Sequence, residues 1–219
     1  MTTLIRPFRA LRPVADQAAA VAAPPYDVLN TDEARTRAAG RPFSFLHISK
    51  PEIDLPEGTD PYAPEVYAKG NANLHRLIES GVLTRDRKPC YYIYRLRMGD
   101  HVQTGIGCVG SVAEYDRNRI RKHEFTRPDK EDDRVRQISA LNAQTGPVLL
   151  AYRANAALGT IIATATDDAP TYDVVADDGV AHTLWVLDDE LSIRRITQIV
   201  AAMPALYIAD GHHRSASAS

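Results

Sequence analysis

Cys90-Tyr91-Tyr92-Ile93-Tyr94-Arg95-Leu96-Arg97-Met98, followed by Gly99-Asp100 and a glycine-rich return over residues 102–112, is the stretch that decides the fold class. The first run is rich in aromatic and β-branched residues and partly alternates, the pattern of a half-buried strand. Gly99-Asp100 supplies the turn, so the whole reads as a β-hairpin. A second hairpin follows the same logic, with segments 172–176 and 182–187 flanking Asp177-Asp178-Gly179. Hairpins are antiparallel by construction, so the sheet they belong to is expected to be largely antiparallel.

Helices surround these strands. Val66, Leu74, Leu77 and Ile78 fall on one helical face, and Gly81 stands at the C-cap position. A charged segment, 117–136, runs into a helix marked by Val135, Ile138 and Leu141. Gly146 is the expected left-handed stop after that helix, and Pro147 the block behind it. Segment 148–152 reads as a strand and 156–166 as a helix. Asp188 is the expected cap of a helix carrying Leu191, Ile193, Ile196, Ile199 and Val200, closed by Pro204. Towards the N-terminus, Pro24-Pro25 excludes helix, Thr31-Asp32-Glu33-Ala34 resembles a helix start, 43–49 reads as a strand and 51–64 as loop. Hairpins outnumber βαβ units, which predicts an α+β fold with a mixed, largely antiparallel sheet and packed helices. No repeat or linker divides residues 1–219, so one unit is expected.

Composition narrows the function classes. The chain has 219 residues, is 44% hydrophobic and carries a formal net charge of -2. It can therefore bury a core, and it has no global attraction for nucleic acid or anionic membrane. Cys90 and Cys108 are too few for a disulfide framework or a cysteine zinc site. No signal peptide and no membrane span is legible, so a cytoplasmic protein is expected. Oligomeric state cannot be read from these residues.

The chemistry concentrates near residue 210. An apolar run over 205–209 reads as a strand, and Asp210-Gly211-His212-His213-Arg214 follows, then small residues able to start a helix. A strand turning through glycine into a helix start gathers backbone N–H groups around one point, and Arg214 adds a cation in fork geometry. Asp210 supplies a carboxylate, and His212 and His213 can move protons or hold an anion. The alternative is a solvated β-turn. Lys122-His123-Glu124-Phe125-Thr126-Arg127 is the second constellation, with His123 and Glu124 as an acid/base pair and Arg127 as an anion clamp. The acids from Asp129 to Asp133 are better read as a favourable first helical turn than as magnesium ligands. Tyr26 and Asp27, on a rigid proline corner, and Asn142, in Asn142-Ala143-Gln144-Thr145-Gly146-Pro147, are further candidates for ligand contact. A zinc set drawn from His123, His212, His213 and Asp210 would need convergence the sequence does not display, so no metal ligand is assigned.

These same motifs resemble the bacterial and archaeal domain-of-unknown-function family 1015. The resemblance runs from Arg6-Pro7-Phe8-Arg9-Ala10-Leu11-Arg12-Pro13 through Ala23-Pro24-Pro25-Tyr26-Asp27-Val28, Phe45-Leu46-His47, Lys122-His123-Glu124, Thr126-Arg127 and 142–147 to Asp210-Gly211-His212-His213-Arg214. It assigns no reaction. Members of that family look longer, which with the Ser215–Ser219 tail leads one to expect the front part of a longer protein. More locally, residues 208–214 resemble the Asp-Gly-His-x-Arg turn of ParB/sulfiredoxin-like proteins, including free-serine kinases. That resemblance implies phosphate or catalytic roles for Asp210, His212 and Arg214. It makes the expected function a nucleotide-dependent phosphotransferase using Mg²⁺ and ATP or ADP on a small hydroxylated metabolite such as serine. Glu124 would take the hydroxyl proton, His123 would assist, Gly211, His213 and Arg214 would hold phosphate, and Arg127 would orient a substrate carboxylate. A non-catalytic nucleotide-binding module and a phosphatase-type hydrolase are the alternatives.

Overall fold

The computed structural model describes residues 3–219. Both hairpins form, and their inner strands pair with each other. Strands His101–Gly107, Tyr91–Met98, Ala181–Leu187 and Tyr172–Val175 lie in that order in one antiparallel sheet. Across the central pair, Ile93 opposes Trp185 and Tyr91 opposes Leu187. All four are buried, and they share a core with Leu158 of helix Ala156–Ala165 and with Ile196 and Val200 of helix Glu190–Ala201. The last helix is amphipathic and is capped by Asp189, whose side chain accepts from the Leu191 and Ser192 amides. The cap thus lies one residue beyond the expected Asp188, because only there do the carboxylate oxygens reach the second and third amides.

A second, smaller sheet carries the C-terminal strand. Leu206–Asp210 lies between Ile120–Arg121, to which it is parallel, and Leu149–Ala151, to which it is antiparallel. Ile120, Leu206 and Ile208 are buried in the same core as the hairpin sheet, which fixes one sheet against the other. Two short pairings, Ile5–Arg6 with Val109–Gly110 and Leu11–Pro13 with Leu83–Arg85, tie the N-terminal segment on. The fold is α+β, and antiparallel pairings dominate it.

A helical layer completes the chain. Helix Pro64–Glu79 starts with proline at its first position, as the missing N–H permits there. It packs on helix Pro128–Leu141, and Leu74, Leu77 and Leu141 form a second core with Val21, Ile48, Val82 and Leu83. Segment 43–49 corrects the expected strand: Leu46–Ser49 is a single helical turn. Its carbonyls are taken by side chains of the neighbouring helices, Asn73 donating to His47 O at 2.7 Å and Gln137 to Ile48 O at 2.9 Å. Side-chain donors therefore replace a strand ladder, and tertiary contact overrides the β-like pattern. Among the described residues, no helix is long and apolar enough to cross a membrane.

Candidate functional site

The parallel pairing is what builds the site. Leu206 aligns with Ile120 and Tyr207 with Arg121, so both chains leave the sheet at the same end. The segment after Arg121 is Lys122-His123-Glu124, and the segment after Tyr207 leads to Gly211 and His212. Two stretches 89 positions apart are thereby placed side by side. On the other flank the ladder slips between Ile208 and Asp210, a bulge that re-aims the end of the strand. Gly211 then takes φ +94°, a left-handed conformation that side-chain-bearing residues adopt at a cost, and helix His212–Ala218 begins. That helix packs against Pro128–Leu141, and Ser217 Oγ donates to the Glu131 carbonyl.

His212 is the buried member, 5% exposed. Its Nε2 accepts from the His123 amide at 3.5 Å, and its Nδ1 lies 3.4 Å from Glu124 Oε2. His123 Nε2 lies 3.7 Å from Glu124 Oε1, and the two imidazole rings meet nearly at right angles with centroids 4.4 Å apart. His123 and Glu124 face solvent. The expected acid/base pair therefore does meet the Asp-Gly-His-His-Arg turn, through His212.

The other predicted residues divide. His213 Nε2 accepts from the Arg127 amide at 3.0 Å, which leaves the ring proton of neutral His213 on Nδ1. The Arg127 guanidinium is paired with Asp129 at 2.8 Å instead of standing free as a clamp. Arg214 is also engaged: it donates to Asp210 Oδ2 at 2.6 Å and to the Pro147 carbonyl. A Cβ on Gly146 would stand 2.9 Å from Arg214 Cδ, so the glycine makes room for that arginine. This close approach, not a left-handed backbone, is the role of Gly146. The left-handed stop belongs to Asn142, at φ 46°. Asn142 thus serves the helix terminus through its backbone.

Tyr26 lies near Arg134 and within the electrostatic reach of Arg214. Burial raises its phenol pKa, while Arg134, whose guanidinium lies 4.1 Å over the ring, and Arg214 pull the other way. Asp27 is exposed next to it. Arg134, in turn, is held by Asp133, and Thr126 Oγ1 donates to Glu131. The acids of the charged run are largely consumed by such pairs, as their reading as a helical first turn implies. Arg134 was hidden in that run, and its contact with an aromatic 108 positions away has no local signal. A surface concavity lies elsewhere, lined by Thr31, Arg35, Glu52 and Thr59 among others.

What the arrangement offers chemically is a solvent-facing carboxylate flanked by two imidazoles, one of them anchored in the interior. Such a group can accept a proton, orient one, or bind a cation. A family model described as "Protein of unknown function (DUF1015)" matches residues 5–219. No curated protein and no solved structure matches the chain.

Proposed function

The chain belongs to the DUF1015 family, and we propose that it is a nucleotide-dependent phosphotransferase acting on a small hydroxylated metabolite, with serine as the first substrate to try. The observation that carries this reading is the approach of Glu124 to His212 across the parallel strand pair, 3.4 Å apart. In this reading Glu124 accepts the substrate hydroxyl proton, and His212, fixed by burial, orients the carboxylate. Phosphoryl transfer asks mainly for positioning and charge stabilisation, to which the carboxylate and the two imidazoles contribute directly, while Arg127 and Arg214 are held by Asp129 and Asp210. The local likeness of 208–214 to the turn of free-serine kinases supports the same reading. Mg²⁺ accompanying ATP or ADP would spread the phosphate charge. Glu124 would contribute to holding it, since Asp129 and Asp133 are paired with arginines. Arg214 would stabilise the turn from beneath, as its contacts to Asp210 and Pro147 imply.

The exposure of His123 and Glu124 favours a second reading, a non-catalytic module that grips nucleotide or phosphate. A hydrolase would keep the site and use water as acceptor. Incubation with nucleotide, Mg²⁺ and a panel of hydroxy amino acids, with Glu124→Gln beside the parent, separates them. Under the phosphotransferase reading, turnover falls by about 10²–10⁴-fold in Glu124→Gln while nucleotide affinity survives. Nucleotide binding with no turnover supports the module, phosphate release without an acceptor supports the hydrolase, and neither binding nor turnover defeats all three.

A further inference from the structure

We propose that His123, Glu124 and His212 form a site for one divalent first-row transition ion, with two imidazoles, one carboxylate and an open position. One ligand atom from each residue lies within 4.8 Å of the other two. His212 Nδ1 to Glu124 Oε2 is 3.4 Å, and His123 Nε2 to Glu124 Oε1 is 3.7 Å. Ligands about 2.0–2.1 Å from an ion at tetrahedral angles stand roughly 3.4 Å from one another. A direct imidazole–carboxylate bond is shorter, and this protein contains one for comparison: His47 Nδ1 to Asp54 Oδ1 is 2.8 Å. The His212–Glu124 spacing is too wide for that bond and matches two ligands of one ion, while His123 stands near the other carboxylate oxygen.

Burial points the same way. His212 anchors the trio from the interior, while His123 and Glu124 stand at the surface, giving an entry path and a position for water. His123 is exposed and its ring meets that of His212 edge-on, so both imidazoles border the same point. Coordination through His212 Nδ1 moves that ring's proton to Nε2 and gives up the long 3.5 Å contact with the His123 amide. Two imidazoles with a carboxylate prefer zinc-like or cobalt-like ions over Mg²⁺, which seeks oxygen ligands and retains its water. Three protein ligands with an open fourth place define a reactive or exchangeable site, not a closed structural one. The ion site draws on the same Glu124 and His212 as the phosphotransferase reading, but it rests on their spacing and not on that reading.

Tag-free protein stripped with a chelator and titrated with Co²⁺, in the absence of nucleotide, tests it. The expected result is one saturable equivalent with the intense visible absorption of low-coordinate Co²⁺, displaced by Zn²⁺ and not by excess Mg²⁺. Glu124→Gln and His123→Ala, both at exposed positions where folding is checked by circular dichroism, each weaken Co²⁺ binding by about 100-fold or more. His75→Ala leaves it unchanged, because that exposed ring lies on helix Pro64–Glu79 and contacts the Asn71 carbonyl. No saturable binding, a weak hexa-aqua-type spectrum, or affinity retained in both surface variants overturns the proposal. A protein that binds Co²⁺ in this way but never turns over nucleotide defeats only the phosphotransferase reading, and the reverse result defeats only the ion site.

Discussion

Gly211→Ala tests whether the corner depends on a backbone shape that only glycine takes without strain. Gly211 sits at φ +94°, beyond the usual left-handed basin near +60°, so an alanine there pays conformational strain of about 1–3 kcal/mol. Its Cβ would also stand 3.2 Å from Arg214 Nε and 3.3 Å from Val148 Cα, the second being backbone that cannot swing aside. Strain and crowding together place the loss at about 2–3 kcal/mol, or about 4–12 °C in melting temperature for a chain of this size. Gly40→Ala is the internal comparison. Gly40 has φ +72° and nothing within 4 Å of a Cβ, so only mild strain applies, partly offset by a stiffer unfolded chain. Its expected loss is about 1 kcal/mol or less. Melting followed by circular dichroism distinguishes the two. Equal melting points for the two variants, or a Gly211→Ala protein within about 2 °C of the parent, would refute the reasoning.

Two further outcomes follow from residues outside the turn. Asn142→Gly is expected to keep stability and nucleotide binding, whereas Asn142→Ala loses about 1 kcal/mol by thermal melting, because the left-handed helix stop at φ 46° uses this backbone. Loss of ligand binding in a stably folded Asn142→Gly protein would restore a binding role to the amide side chain. Burial opposes ionisation of Asp86, but hydrogen bonds from Arg12 and from the Tyr92 hydroxyl at 2.6 Å overcome it and hold the carboxyl below its ordinary value. A folded pKa below the unfolded one contributes stability above the unfolded value of about 3.9 and loses it as pH falls through the folded value. Melting scans from pH 6 down to pH 3, pH values chosen at roughly that range, should therefore show a shallower acid loss in Asp86→Asn than in the parent. An unchanged slope would remove Asp86 from the acid response.

Much of the fold is legible because its strongest elements are locally periodic. Of the apolar stripe Val66, Leu74, Leu77 and Ile78, the first three become the buried face of helix Pro64–Glu79, while Ile78 is exposed. The turns at Gly99 and Gly179 do close hairpins, with positive φ at both glycines. Segment 43–49 defeats the same approach, because its alternating Phe43, Phe45 and His47 mimic a strand while the donors that satisfy its turn, Asn73 and Gln137, come from elsewhere. At the corner, residue types are legible and partners are not. A two-residue strand, Ile120–Arg121, has no period to detect, yet its parallel register brings Glu124 to His212. Likewise Arg127 and Arg214 are cations by composition, and only the folded chain reveals that Asp129 and Asp210 already hold them.

The parallel pair also sets a timetable. His123 and His212 are separated by 89 positions, which a ribosome working at about 5–20 residues per second needs about 4–18 s to add. Throughout that interval the emerging polypeptide presents the border of Ile120–Arg121 without the strand that will cover it. The corner therefore cannot close until Leu206–Asp210 has been made, well after its partner Ile120–Arg121.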